Sequence, residues 1–341
     1  MLRAKFNPFA TRPKDYNRIT EKNSTAIEEY TDYLKEFFNS NAMKSHISKL
    51  MDFPSEMLPK NFDARLHWPN CSSISNVPNQ GSCGSCYAVA AAGVASDRAC
   101  ISSNGGLQIL FSEEDILGCC EICGNCYGGD PLKAMVYWVR NGFTTGGRDG
   151  CRPYSFALDC GTPCSPAVYP ISEEKRRCER KCQNNYYHNN YNDDKHYASL
   201  AYSMYPRTMS LDTEGKNRFR VPTIIGFINE TSAKPLSSDE ICHIIMKELY
   251  LFGPTTMAFP VTEEFLLYSQ GIFSPYPQEN LKERIIYWHV VRLIGWGRDE
   301  NNNHHWLAIN SFGKYWGDYG SFRIDTTLLE AFGLEYETGL P

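Results

Sequence analysis

The chain has 341 residues, 42% hydrophobic and 21% charged, an ordinary mix for a soluble globular protein. At roughly 150 residues per domain this suggests about two domains. No apolar run approaches the ~18 residues of a membrane helix, and a net charge of −5 excludes the basic footprint of a nucleic-acid binder. The outlying number is 14 cysteines, more than a reducing cytosol keeps unless they bind metal or do redox work.

The first twenty residues, MLRAKFNPFATRPKDYNRIT, interrupt any apolar core with Lys5, Pro8, Arg12, Pro13 and Lys14. They do not read as a secretory signal, which leaves cytosolic residence or a start further upstream. Sequons at Asn23, Asn70 and Asn229 are near chance for an Asn-rich chain. Residues 1–57 hold no cysteine and carry two amphipathic stretches, around Ile27–Phe38 and Met43–Met51. They suit a separable N-terminal arm, joined to the body by Asp52–Pro59. Thirteen cysteines follow between Cys71 and Cys182. Cys86–Cys100 reads as a helix apolar nearly all round, hence buried, with Ser82 and Ser85 as cap candidates and Gly105-Gly106 as its stop. Residues 119–182, dense in Cys, Gly and Pro, read as crosslinked loops.

From about 185 the character changes. Ser237-Ser238-Asp239-Glu240 fits a capping box for a helix ending at Gly253-Pro254, with Ile241, Ile244, Ile245, Leu249 and Phe252 on a helical period. Thr255–Val261, Ile285–Trp296, Trp306–Ser311 and Ser321–Ile324 read as strands. A helical half followed by a β half fits two packed subdomains.

The segment Gln80-Gly81-Ser82-Cys83-Gly84-Ser85-Cys86-Tyr87 carries the chemistry. Cys86 opens the buried helix, where partial positive charge favours a thiolate. Cys83 stands three residues earlier, so a C-x-x-C redox pair is an alternative. That pair expects a βαβ context and few other cysteines. A nucleophilic cysteine needs a base and something to orient it. His289 lies in an apolar strand pattern, where a lone histidine would ordinarily be core; Asn310 opens the later segment Asn310–Gly317.

With these residues the chain resembles the papain-like cysteine proteases, and within them the cathepsin B group. The match covers Leu58–Cys71, the core Gly81–Cys86, Ser96–Ile101, Gly150–Ser155, Asp194–Tyr197 and the His and Asn segments, over most of 58–341. The resemblance implies an α+β fold of two subdomains, one helical and one β-barrel-like, with the cleft between them. It implies a cysteine-type endopeptidase: Cys86 as nucleophile, His289 as acid/base partner in a thiolate–imidazolium pair, Asn310 orienting the imidazole, and Gln80 donating to the oxyanion. It places Gly128 and Gly129 on the cleft wall and Trp316 on the leaving-group side. Glu337 aligns with the acidic residue at the base of the S2 pocket. The implied disulfides are Cys71–Cys100, Cys83–Cys126, Cys119–Cys178, Cys120–Cys123, Cys151–Cys182 and Cys160–Cys164, which leaves Cys242 as a buried thiol. Zinc held by Cys119, Cys120, Cys123 and Cys126 is the alternative, at a spacing compressed for zinc knuckles.

Several positions depart from the family. Tyr87 and Phe312 replace tryptophans, Trp288 stands where glycine is usual before the histidine, and Val290 replaces a small residue; Trp288 and Val290 count as substrate-side candidates. The loop matching the cathepsin B occluding loop, Cys160–Cys164, holds no histidine. His304-His305, in the β half, are no substitute. Dipeptidyl carboxypeptidase action is therefore expected to be lost. About 30 extra residues, Tyr205–Pro235, suggest a surface hairpin that includes the apolar run Val221–Ile228. The expected partners are peptide substrates and the chain's own arm, acting as an inhibitory propeptide over the cleft. No cofactor, metal, nucleic acid or membrane is expected, and the protein is expected to be a monomer. Six disulfides imply a lysosomal or extracellular location. A catalytically weakened homologue acting as a binding or regulatory protein is the alternative.

Overall fold

The computed structural model describes residues 24–156, 158–205, 207–210, 218–232, 235–274, 281–326 and 336–341, with backbone only for 24–26, 166, 207–210, 218, 281–282 and 337. The arm forms two helices, α1 (Ser24–Phe38) and α2 (Asn41–Asp52). The Ser40 hydroxyl accepts from the Met43 N–H and caps α2. Tyr30, Leu34, Met43, His46, Ile47 and Leu50 recur at helical spacing and are all buried. Their neighbours lie on the body. Glu29 pairs with Arg140, Phe38 meets Phe227, His46 bonds Glu248, and Phe53 packs on Tyr250.

The central helix α3 (Cys86–Ser102) is alanine-rich and buried along nearly its whole length. Small side chains let it approach α4 (Glu113–Cys119), α5 (Pro131–Asn141) and strand β9 (Tyr287–Arg298). Ser85 sits at its N-cap without capping it; the hydroxyl is 2.6 Å from the Tyr154 hydroxyl instead. Helix α5 corrects the reading of 119–182 as loops. Asp130 accepts from the Leu132 and Lys133 N–H groups, Pro131 fits the first turn, and Gly142 ends it at φ 70°. A further short helix, α6 (Tyr169–Lys175), lies in the same stretch. The hairpin β2 (Gly124–Asn125) and β3 (Gly128–Gly129) stands between α4 and α5.

The second half is built on a sheet ordered β1 (Phe62–Asp63), β9 (Tyr287–Arg298), β10 (His304–Ile309), β11 (Ser321–Asp325) and β8 (Ile272–Phe273), with β7 (Thr255–Val261) also paired to β9. All these pairings are antiparallel except β11 with β8. Helix α8 (Ser238–Phe252) has the full capping box and stops at Gly253, φ 104°. Strand β4 (Leu200–Ser203) pairs with β12 (Glu337–Leu340). In the insertion, β5 (Arg207–Ser210) and β6 (Arg218–Val221) form a hairpin. The apolar run after it becomes helix α7 (Ile224–Thr231), because Thr223 caps Gly226 N–H and Ile224, Ile225 and Ile228 turn into the core.

Two buried ion-pair groups lock the halves together. Arg292 of β9 bonds both Asp97 oxygens on α3, at 3.1 and 3.0 Å. Arg98 of α3 reaches Glu248 of α8 at 2.9 Å, and Glu248 also takes bonds from Tyr202 and His46. Six disulfides staple the first half and its approach: Cys71–Cys100, Cys83–Cys126, Cys119–Cys178, Cys120–Cys123, Cys151–Cys182 and Cys160–Cys164. Cys242 lies outside the disulfides and is half-buried, not fully buried. Its place on α8 faces a groove shared with His243 and His304. Among the described residues no helix is long and apolar enough to cross a membrane.

Candidate active site

The helix–sheet packing carries Cys86 to β9. The backbone N–H groups of Val290 and Tyr87 face its sulfur, so the first turn of α3 meets the strand next to His289. The β9–β10 register places Ile309 opposite Arg292, which sets Asn310 beside the run leading back to His289. Nε2 of His289 lies 2.8 Å from Oδ1 of Asn310. That Asn310 oxygen also accepts the Ser311 N–H at 2.7 Å, which fixes it as the oxygen. His289 Nε2 therefore carries the proton and donates, leaving Nδ1 as the basic atom. Phe312 stacks on the imidazole at 4.9 Å and 23°, and covers the His289–Asn310 bond with an apolar face.

Gln80 is held from three sides. Its N–H donates to Ser311 O at 2.8 Å, its Oε1 accepts from Ser311 Oγ at 2.7 Å, and its Nε2 donates to Cys83 O at 3.1 Å. Ser311 thus ties Gln80 to Asn310. Sequence reasoning passed over it, although it directly follows Asn310.

Burial sets the electrostatics. Cys86 is 7% exposed and His289 1%. Burial pushes the thiol up to about 11, against the N–H groups facing it. Burial also pushes the imidazole down to about 4, although the Asn310 bond works the other way. Both directions favour the neutral thiol and the neutral imidazole, so burial opposes the thiolate–imidazolium pair that the resemblance implies.

The remaining candidates divide. Gly129 is part of a tight wall, since a Cβ there would stand 2.6 Å from the Tyr87 ring and 2.4 Å from Cys123 O; Gly128 has φ 127°. Tyr87 fills the space under this wall and is fully buried. Trp288 is half-buried on the same cluster as Cys86. Val290 is 2% exposed and turned into the core, so what it presents to the site is its N–H. Trp316, 4% exposed, stands edge-on behind Phe312 at 5.4 Å and donates Nε1–H to Leu266 O. It backs the site from the core. Glu337 pairs with Ser203 through its backbone, and its side chain lies outside the described residues. One residue was missed altogether: Tyr169 of α6, whose buried ring reaches Gly84, with Cε2 3.4 Å from where a Cβ would stand. Nothing local marks it, because the contact depends on how α6 docks. Among the described residues no group of three His, Cys, Asp or Glu side chains is placed to hold a metal ion.

The profile of the papain family cysteine proteases matches residues 58–216 and 228–338. The chain belongs to that family. The gap in the match falls inside the insertion, and the arm lies before it. Cathepsin B-like cysteine proteinase 4 of Caenorhabditis elegans is 37% identical over 282 residues, covering 80% of this chain and 72% of that protein. Procathepsin B S9 from Trypanosoma congolense is similar in structure, with TM-score 0.59 at 23% identity, over 86% of this chain and 80% of that one. Bromelain from Ananas comosus gives 0.50 at 19%, over 83% and 99%. The protein is a cathepsin B-like cysteine peptidase with the papain-like α+β fold.

Proposed function

We propose that this peptidase cleaves internal peptide bonds with Cys86 as nucleophile, His289 as acid and base, Asn310 as the orienting group and Gln80 as oxyanion donor. The observation that carries the reading is the His289–Asn310 bond on the strand whose next N–H, that of Val290, faces the Cys86 sulfur. His289 Nδ1 takes the thiol proton, and the sulfur attacks the carbonyl carbon. The oxygen of the tetrahedral adduct is met by the Cys86 N–H and a Gln80 Nε2–H, donors of a type worth about 2.7–4 kcal/mol each. The imidazolium then protonates the departing amine, the C–N bond breaks, and water hydrolyses the thioester.

Endopeptidase action rests on the Cys160–Cys164 loop. Its disulfide closes over Gly161-Thr162-Pro163, which carries no cation to hold a substrate's terminal carboxylate. An internally quenched peptide with an amidated C-terminus should be cut faster than a substrate that releases a C-terminal dipeptide. Faster dipeptide release would overturn this. Peptides and proteins are the proposed substrates, the protein acting as a monomer. The six disulfides favour a lysosomal or extracellular setting. The arm is propeptide-like in position. Its described part, 24–57, supports a role in bracing α5, α7 and α8, and N-terminal sequencing of the active form shows whether cleavage falls near Met57–Lys60.

A further inference from the structure

Two parts of the chain fall outside the stretches matched by the family profile, the arm before residue 58 and residues 217–227 within the insertion. They meet each other. Lys35 of α1 lies over the Phe219 ring of β6, 5.7 Å from its centre, and Phe38 meets Phe227 of α7 at 6.1 Å. The buried faces follow the same pairing. Tyr30 and Leu34 share one apolar cluster with Val221, while Phe38, Met43, Ile47 and Leu50 share the other with Ile224, Ile225 and Ile228. The insertion therefore meets the arm with both of its elements, the β5–β6 hairpin and the helix that follows it.

The arm is anchored away from the proposed nucleophile. His46 of α2 bonds Glu248 at 2.8 Å and lies 4.8 and 4.3 Å from the rings of Tyr202 and Phe252. Glu248 reaches Arg98, about 18 Å along α3 from Cys86 at 1.5 Å per residue. At the junction Trp296 Nε1 donates to Pro59 O at 3.1 Å, about 23 Å along β9 from His289. Helix α1 meets the last turn of α5, where Glu29 pairs with Arg140 at 3.2 Å. Between these anchors Glu56 and Met57 are exposed. Lifting the arm would strip His46 from Glu248, whose side chain and that of Arg98 are 0% exposed, and bring the buried apolar side chains of α1 and α2 into water.

We propose that the insertion is a docking platform for the arm, and that α1 and α2 stay on it as the second chain of the active enzyme once the junction is cut. The cut adds one water across one exposed peptide bond, leaving a carboxylate on the arm and an α-ammonium on the body. None of the contacts above uses that bond. The inference rests on the reading of this chain as a peptidase that is cut near Met57–Lys60.

The test inserts the recognition sequence of a site-specific foreign protease between Glu56 and Met57 of the full chain. The purified protein is cut and followed by native mass spectrometry, gel filtration and kcat/KM. Both pieces are expected in one particle that turns over an amidated peptide at least as fast as the uncut chain. Phe227→Ala is expected to speed release of the cut arm at least about tenfold. Adding Phe38→Ala should add little more, because the two rings form one contact. Spontaneous loss of the arm from the cut, otherwise unmutated chain overturns the inference. So does a cut chain that keeps the arm but turns over no peptide while the uncut chain does. Release unchanged by Phe227→Ala would leave the hold to the His46–Glu248 bond and overturn the platform. Absence of turnover in both forms would strike the peptidase reading and the active two-chain enzyme with it, whereas native mass would still show the docking.

Discussion

Two histidines are buried almost equally, His289 at 1% exposure and His46 at 3%, and they face opposite partners. His289 meets a neutral amide and a phenyl ring. With no compensating charge beside it, burial pushes the imidazole down to about 4. His46 reaches from the arm to a carboxylate, Glu248, at 2.8 Å. Burial alone would raise that carboxyl, but His46, Arg98 and the Tyr202 bond outweigh it and hold it down to about 2. The same side chain at the same depth thus makes the proposed base in one place and a clasp in the other. The neighbour decides, not the burial.

The largest effect that could break this comparison is on turnover. Cys86→Ala or His289→Ala is expected to lower kcat/KM at least about a thousandfold with little change in unfolding midpoint. His46→Ala should do the opposite, and a comparable loss of turnover in folded His46→Ala would erase the division of labour. Next comes the clasp. Glu248→Ala strands Arg98 in the core and should cost about 3–5 kcal/mol in urea unfolding, while the folded fraction still turns over substrate. A cost under about 1 kcal/mol would show that the network carries no stability.

The clasp also has a pH signature. A depressed carboxyl contributes its full stability above its ordinary value of 4.5 and loses it as pH falls toward about 2. Urea midpoints taken from neutral down to that range should fall more steeply for wild type than for Glu248→Gln. Equal slopes would contradict the pairing. The smallest step concerns the thiol. With Cys86 pushed up to about 11, its alkylation rate should rise about tenfold per pH unit across the neutral and alkaline range. A rate already flat from acid pH upward would mean an ion pair at rest. Turnover should separately fall as pH drops through about 4, where His289 becomes protonated and can no longer act as base.

The elements were legible where the signal is local. Ser237 and Glu240 box α8, Gly253 ends it, and the alanine run after Cys86 could only be a buried helix. The site residues were legible through resemblance, since nothing in spacing alone brings Cys86 to a strand two hundred residues later. Helix α5 was hidden by the surrounding cysteines and glycines, although Asp130-Pro131 is a helix start. The insertion read as a surface hairpin; β5 and β6 pair as one up to Val221, but the Thr223 cap and three buried isoleucines make Ile224–Thr231 helical. Ser85 was misread as a cap because Tyr154, distant in sequence, claims its hydroxyl. The burial of Cys86 and His289, and the arrival of the Tyr169 ring beside Gly84, depend on tertiary packing that no local pattern records.

The central claim is that Cys86, and not Cys242, the other cysteine outside the disulfides, is the nucleophile. Treating the full chain with a peptidyl epoxide, followed by intact-mass measurement and peptide mapping, tests it most directly. The account predicts a single adduct on Cys86, none on Cys242, and none in Cys86→Ala. An adduct on Cys242, or undiminished labelling of Cys86→Ala, would contradict it.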